Sequence, residues 1–206
     1  VGTAWWFIGG ALLLGFIVQT VQQRRARMEG ERSRAASDRA LGAVLGSAAG
    51  DALGAGYEFT NPTPDQEIAM IGGGGFGWAP GEWTDDTQMA VAILDVIATG
   101  SRDLDAIASN FLTWYSAGPA DVGIQTSSVL SSAAVPEDLA GAAAAFMEAN
   151  PRSAGNGALM RTAPVALAAL DDRTEIARLA GSIASLTHAH PDSVAACVLW
   201  SLAIQQ

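Results

Sequence analysis

The chain contains no lysine, one cysteine and only two histidines among its 206 residues. Without lysine there is no Schiff-base nucleophile and no lysine-based phosphate loop. A lone thiol, Cys197, excludes an internal disulfide framework and accords with a reducing compartment. Charged residues make up 16% of the chain, too few for a disordered body. Apolar–polar alternation is also missing, so no strand is expected. Half of the residues are hydrophobic, enough for the core of one ordinary domain.

The net charge of −10 is unevenly placed. Residues 1–36 hold five Arg against two Glu, and the remainder holds six Arg against nineteen acids. An acidic body repels a phosphate backbone, so no nucleic-acid binding is expected. The same body suits divalent cations, which take several carboxylate oxygens.

Residues 1–18 carry no charge. Eighteen helical residues span roughly 27 Å, just short of the roughly 30 Å apolar thickness of a bilayer. Trp5 and Trp6 stand near one end of this run, and Arg24, Arg25, Arg27, Arg32 and Arg34 follow the other. Residues 1–19 therefore read as a transmembrane anchor, with membrane contact through residues 4–19. The positive-inside rule places the body in the cytoplasm, at the inner face of the plasma membrane. A cleaved signal peptide has the reverse charge order. A misplaced start is the rival reading, and Val1 in place of Met keeps it open. Residues 20–37 read as an Arg-rich linker or a helical extension.

From residue 38 onward alanine is abundant and apolar residues recur every three or four positions, so the body reads as all-α, one compact bundle over 38–206. A first helix is expected from Asp38 to Gly56, capped by Ser37 or Asp38. Gly42, Gly46, Gly50 and Gly54 fall on one stripe of it, which suggests close approach of another helix or a ligand. Residues 71–81 read as a glycine-rich loop. The run lacks dinucleotide-fingerprint spacing and a preceding strand. Further helices are expected at Asp85–Thr99, at Asp103–Ser116 with Ser101 as cap, and near 121–133, 138–149, 157–170, 174–187 and 192–206. The last is still running, uncapped, at Gln206.

Four short stretches carry chemistry. In GEWTDDTQMA (81–90) Thr84 stands where a helix begins, and Asp85 and Asp86 fill its first turn. Acidic residues there suit the helix dipole. They also present three oxygens to a hard cation, and side chains about 100° apart can serve two neighbouring metals. In GDALGAGYEF (50–59) Glu58 lies just past a helix end, between Tyr57 and Phe59. It reads either as an exposed loop acid or, with a raised pKa beside aromatics, as a general acid or base. Asp51 is placed to hydrogen-bond locally and hold this turn. In SAGNGALMR (153–161) Gly155, Asn156 and Gly157 form a small loop opening into a helix, which is either a plain Asn-Gly turn or a phosphate and sugar contact. In THAHP (187–191) His188 and His190, two positions apart, do not share a helical face, so a zinc pair is not expected. One of them can face a ligand.

Taken together, GDALGAGYEF, GEWTDDTQM, GNGALMR and THAHP resemble the ADP-ribosylglycohydrolase family over about Asp38 to Gln206, in the family's order. The resemblance implies an all-α orthogonal bundle with a binuclear Mg²⁺ or Mn²⁺ centre. It implies Thr84, Asp85 and Asp86 as metal ligands and Glu58 as the acid that acts in the reaction or gates the site. It implies Gly155, Asn156 and Gly157 at the pyrophosphate and ribose, and His188 near ADP-ribose. The implied activity is metal-dependent hydrolysis of the glycosidic bond that joins ADP-ribose to a modified protein or small molecule. One departure stands out: a second metal element of the form D-x-D-T, found near the family's C-terminus, does not occur. Asp171-Asp172-Arg173-Thr174 lies at an inter-helix turn with different spacing. The chain therefore reads as the N-terminal portion of a longer protein, truncated at the C-terminus, with the apolar helix outside the bundle. Two rivals are a non-catalytic ADP-ribose reader and a membrane-tethered helical scaffold.

Overall fold

A computed structural model of the chain describes the backbone of residues 4–206 and the side chains of residues 22, 24–31 and 33–206. The chain divides into two units, residues 1–42 and 43–206.

In the first unit the described backbone is helical throughout, as the leading part of α1 (Ala4–Gly54). Helicity passes through Ser37 and Asp38 without a cap, which corrects the expected start there. The Gln, Arg, Glu and Ala residues of 20–36 are strong helix formers, and no proline interrupts them. An exposed Arg27–Glu31 pair at 2.9 Å adds a few tenths of a kcal/mol at most. The side chains of the apolar run 1–19, read above as an anchor, lie outside the described residues. Among the described residues no helix is long and apolar enough to cross a membrane.

The second unit is all-α among its described residues. After α1 come α2 (Asp85–Ile97), α3 (Leu104–Ser116), α4 (Ile124–Ser132), α5 (Leu139–Ala149), α6 (Ala163–Leu167), α7 (Arg173–Ser185) and α8 (Pro191–Ile204). Sequence spacing explains the core. Met89, Ala92, Ile93 and Val96 of α2 recur at three and four positions, as do Leu104, Ile107, Ala108 and Phe111 of α3, and Ile176, Leu179, Ala180 and Ile183 of α7. Each set makes one apolar stripe. Apart from Ile176, the stripes meet in one cluster with Val129, Leu130, Leu139 and Val165. Each fully buried Ile, Leu or Phe there stabilises the fold by about 1.5–3 kcal/mol. α7 packs on α8, α2 on α3 and α6, and α4 on α5.

Side-chain caps fix the helix starts. Thr84, Asp103 and Asp172 accept bonds from the first backbone N–H groups of α2, α3 and α7. Asp103, not Ser101, caps α3; the Ser101 hydroxyl accepts from the Asp103 N–H instead. The helix expected over 157–170 shrinks to the five residues of α6. Residues before it close as turns on Asn156, and Pro164 supplies no N–H to extend a ladder backwards. At the other end, α8 stops at Ile204, where Gln205 donates to the Leu170 carbonyl and accepts from Arg173.

The glycine stripe does not mark close packing. A Cβ placed at Gly42, Gly46, Gly50 or Gly54 would meet no heavy atom within 4 Å. The demanding glycines lie in the 71–81 loop. Gly72 has φ +64, and a Cβ there would come within 2.5 Å of the Trp78 carbonyl oxygen. A two-way backbone pair, Gly73 with Trp78, closes this loop.

Candidate functional site

Asp51, on the last turn of α1, reaches 33 residues ahead to the start of α2. Its carboxylate accepts from the Thr84 N–H (3.0 Å), the Thr84 hydroxyl (2.8 Å), the Thr87 N–H (3.1 Å) and the Thr87 hydroxyl (2.6 Å). It thus caps α2 from outside, where the helix dipole favours a negative charge. The expected local bond within its own turn gives way to this long-range clamp. Thr84 is buried, and its hydroxyl is already engaged with Asp51 while also accepting from the Asp86 N–H at 3.4 Å.

The clamp orients the two acids that follow. Asp85 is buried and lines one hollow in front of α2, and Asp86 is half-buried and lines two. A hollow of about 280 Å³ carries Glu58, Asp85, Asp86 and Asp121 on its wall together with the Gly155–Gly157 loop and His188. A second hollow of about 470 Å³ shares Glu58 and Asp86 and adds Asp51, Thr84 and Tyr57. The structure therefore gathers Glu58, Asp85, Asp86, Gly155, Asn156, Gly157 and His188 around one space, with Thr84 in the adjoining one.

Glu58 follows the 3₁₀ turn Ala55–Tyr57 that ends α1. The Tyr57 hydroxyl donates to the Ala69 carbonyl and accepts from the Ala69 N–H, both at 3.0 Å, which ties the turn to the next loop. Phe59 has φ 56 and is 78% exposed, with its ring edge-on to Phe76. Tyr57 shares the wall of the larger hollow with Glu58, and Phe59 that of the smaller. Its carboxyl is pushed up by partial burial first, then by the negative charges of Asp121 and Asp51.

The same physics acts more strongly on α2. Burial, with repulsion from Asp121, Asp86 and Glu58, lifts Asp85 to about 7 against a weak opposing bond from Thr84. Asp86 is lifted to about 6 by burial, then by Asp51, Glu58 and Asp121. Burial also raises Asp121. Among the described residues none of these four acids has a salt-bridge partner.

Such a set has the right chemistry for a hard divalent cation: oxygen donors only, mutually repelling and without a positive neighbour at contact. The fit is partial. Among the described residues no three His, Cys, Asp or Glu side chains are grouped closely enough to form a metal site by themselves. Asp171 and Asp172 are elsewhere; Asp172 caps α7.

Opposite the acids, the Asn156 carbonyl accepts from Leu159 and Met160, so Gly155–Gly157 form a turn with no helix start beside them. This removes the helix-dipole argument for phosphate binding there. What remains is close backbone approach. A Cβ on Gly157 would stand 3.0 Å from His188 Cε1 and 3.1 Å from Thr126 Oγ1, whereas one on Gly155 would meet nothing nearer than 3.4 Å. Gly157→Ala is therefore expected to displace the imidazole and cost about 1–2 kcal/mol, with Gly155→Ala near neutral, as paired thermal melts will show.

His188 is buried just past α7, its pKa pulled down to about 3 by burial and by the Arg161 charge. It is neutral at physiological pH. Beneath it lies Arg161, fully buried, stacked 4.3 Å from the Phe111 ring centre. Burial draws Arg161 down to about 10, against the influence of Cys197 and Asp85, so it stays charged. His190 instead accepts from Asp192 N–H as the cap of α8.

Sequence reasoning assigned no ligand-facing role to Asp51, Asp121, Gln125 or Arg161. Arg161 did leave a signal, as the one charge in the run ALMRTAPVALAAL. Asp121 gave less, an acid two residues before a helix-opening glycine.

The ADP-ribosylglycohydrolase family model matches residues 32–206. An ADP-ribosylarginine hydrolase, Tri1 of Serratia proteamaculans, is 33% identical over 168 residues, covering 78% of this chain and 44% of that protein. The ADP-ribosyl-[dinitrogen reductase] glycohydrolase of Rhodospirillum rubrum is 38% identical over 173 residues, covering 78% and 55%. A solved structure described as an ADP-ribosylglycohydrolase-related protein complex superposes with a TM-score of 0.58 at 30% identity, over 79% of this chain and 53% of the other. The chain thus spans about half the length of the curated relatives it matches.

Proposed function

Since the chain belongs to the ADP-ribosylglycohydrolase family, we propose that its pocket binds the ADP-ribose part of a modified protein and contributes to hydrolysis of the bond from the anomeric carbon to the acceptor. The observation that carries this reading is the meeting of Glu58, Asp85 and Asp86 with the Gly155–Gly157 turn and His188 around one hollow of about 280 Å³. That volume is near the lower end for small-ligand sites, and the adjoining 470 Å³ enlarges it. The relatives' names point to ADP-ribosylated arginine and ADP-ribosylated dinitrogen reductase as their substrates. An ADP-ribosylated arginine side chain is accordingly the acceptor class we expect here.

In the reaction, water adds its oxygen to the anomeric carbon, the bond to the acceptor nitrogen breaks, and a proton reaches that nitrogen. Glu58 is half-buried on the wall with a raised proton affinity, which suits an acid that holds and returns that proton. The bare Gly155–Gly157 backbone lets a sugar or phosphate approach His188 closely. Asp85 and Asp86 would hold a divalent cation, Mg²⁺ or Mn²⁺, with oxygens from outside this set completing its shell. When bound, such a cation polarises substrate oxygens and offsets negative charge.

Incomplete grouping of acids favours a second reading, an ADP-ribose reader without turnover. Calorimetry with ADP-ribose and release of ADP-ribose from ADP-ribosylarginine peptide, with and without Mg²⁺, separate the two. Binding with Mg²⁺-dependent release is expected. Binding alone establishes the reader, and neither binding nor release overturns both.

A further inference from the structure

Beneath the pocket, three buried side chains form a line whose hydrogen bonds admit one arrangement. Arg161 Nη2 donates to the Thr187 hydroxyl oxygen at 2.6 Å, and that oxygen lies 2.8 Å from His188 Nδ1. All three residues are at most 1% exposed. Guanidinium nitrogen cannot accept, so the Thr187 oxygen is the acceptor in the first contact. Its single proton then has one polar atom to meet, His188 Nδ1. Were Nδ1 to carry the proton, the hydroxyl hydrogen would have no acceptor among the described residues.

We infer that Thr187, held by Arg161, is a positioning residue that locks His188 as the Nε2–H tautomer and so presents an N–H donor to an acceptor oxygen of the ligand. Nε2 has no hydrogen-bond partner among the described residues. It faces the two glycines, standing 3.4 Å from a Cβ position on Gly155 and 3.1 Å from one on Gly157. The Thr187 backbone is held as well. Gln125 Nε2 donates to the Thr187 carbonyl at 3.1 Å, and Ser153 donates to Gln125 Oε1 at 2.9 Å. Thr187 bonds Nδ1, Gln125 and Thr126 stand beside the same two glycines, and among the described residues no carboxylate is bonded to either ring nitrogen. His188 therefore differs from an acid–base histidine held by a carboxylate. It is a fixed donor, suited to a phosphate oxygen or a sugar hydroxyl oxygen.

The ligand half of this inference rests on the proposed function, and the tautomer half does not. With only two histidines, ¹⁵N-imidazole NMR of the full chain is readily assigned by comparison with His190→Gln. The free protein is expected to show a protonated Nε2 and a bare Nδ1 at His188 at neutral pH. A protonated Nδ1 overturns the inference. Thr187→Val is expected to yield mixed tautomers and about tenfold weaker ADP-ribose binding, and Thr187→Ser to restore both. A single Nε2–H tautomer in Thr187→Val removes Thr187 from the role even if binding weakens. If ADP-ribose binds by calorimetry, its addition should shift the Nε2 proton. Doing so with ADP as well identifies a phosphate oxygen, and with ADP-ribose alone the distal ribose. Binding without any shift overturns the ligand half. Absence of ADP-ribose binding removes the proposed function, and the free-protein spectrum still decides the tautomer.

Discussion

Asp85→Asn is expected to make the cation-free protein more stable at pH 8 while cutting ADP-ribose release by about two orders of magnitude. The native carboxyl has its pKa raised to about 7 from an ordinary 3.8. Between those values the folded state binds more protons at this position than the unfolded chain does. Stability contributed by the group is present below pH 4 and is lost as pH rises through about 7. Asparagine never ionises, so the variant's advantage is near zero at pH 4 and full above pH 7. After discounting for partial solvent access, the gain is about 1–2 kcal/mol, or roughly 4 °C in Tm for a unit of this size. Asp86, raised to about 6, adds to the same slope in the wild type. Glu175, lowered to about 2 by Arg178 and Arg102, works in the opposite sense and only in acid, so the two windows separate. Added Mg²⁺ should raise the wild-type Tm and leave Asp85→Asn nearly unmoved. Equal melts for wild type and variant at pH 8 would show that the cluster carries no such strain. Loss of release follows because the substituted amide neither carries charge nor holds a cation as a carboxylate does. Both outcomes together would mark Asp85 as a position that destabilises the folded state while serving the proposed reaction.

Local pattern and long-range pairing divide what the sequence revealed. Helices α2, α3 and α7 are written in three-and-four spacing of apolar residues, so their extents are close to expectation. Helix ends set by a single competing group were harder. Asp103 displaces Ser101 as a cap, and α6 is cut short by turns on Asn156 that no periodicity announces. The long α1 takes the helical-extension reading of residues 20–37, and only the start expected at Ser37 or Asp38 differs, because a cap-like Ser-Asp pair is passed through when its neighbours favour helix. Motif order brought Glu58, Asp85, Asp86, the Gly155–Gly157 turn and His188 to attention, and the structure sets them around one hollow. Their supports stayed hidden because the partners are far apart in the chain. Thr84 finds Asp51 33 positions away, Gln125 finds Thr187 62 positions away, and Arg161 meets Met89 across 72. No local rule connects such pairs. The glycine stripe meets no packed helix, and of the two readings it allowed only the ligand one is left, since Gly50 and Gly54 line the larger hollow.

Asp51→Ala should be the most damaging single change to the architecture of the pocket. It leaves two buried backbone N–H groups and two buried hydroxyls at the start of α2 without their acceptor. Both hydroxyls can turn toward other oxygens, and the two N–H groups cannot. Allowing for that recovery, the loss is about 3 kcal/mol, a fall in Tm of roughly 6–12 °C. Asp51→Asn keeps the shape but accepts through one oxygen and loses its charge at the helix N-terminus, so an intermediate fall is expected. Electrostatics supplies a readout that plain destabilisation would not move. Asp51 is second only to burial among the causes that raise Asp86, and it is not among those that raise Asp85. In Asp51→Asn, carboxyl-carbon NMR titration should show the Asp86 midpoint falling toward the usual carboxylate range while Asp85 stays near its wild-type value. Both midpoints falling together would mean that α2 has come loose from the end of α1, and neither moving would mean that Asp51 exerts no field on the acids it orients.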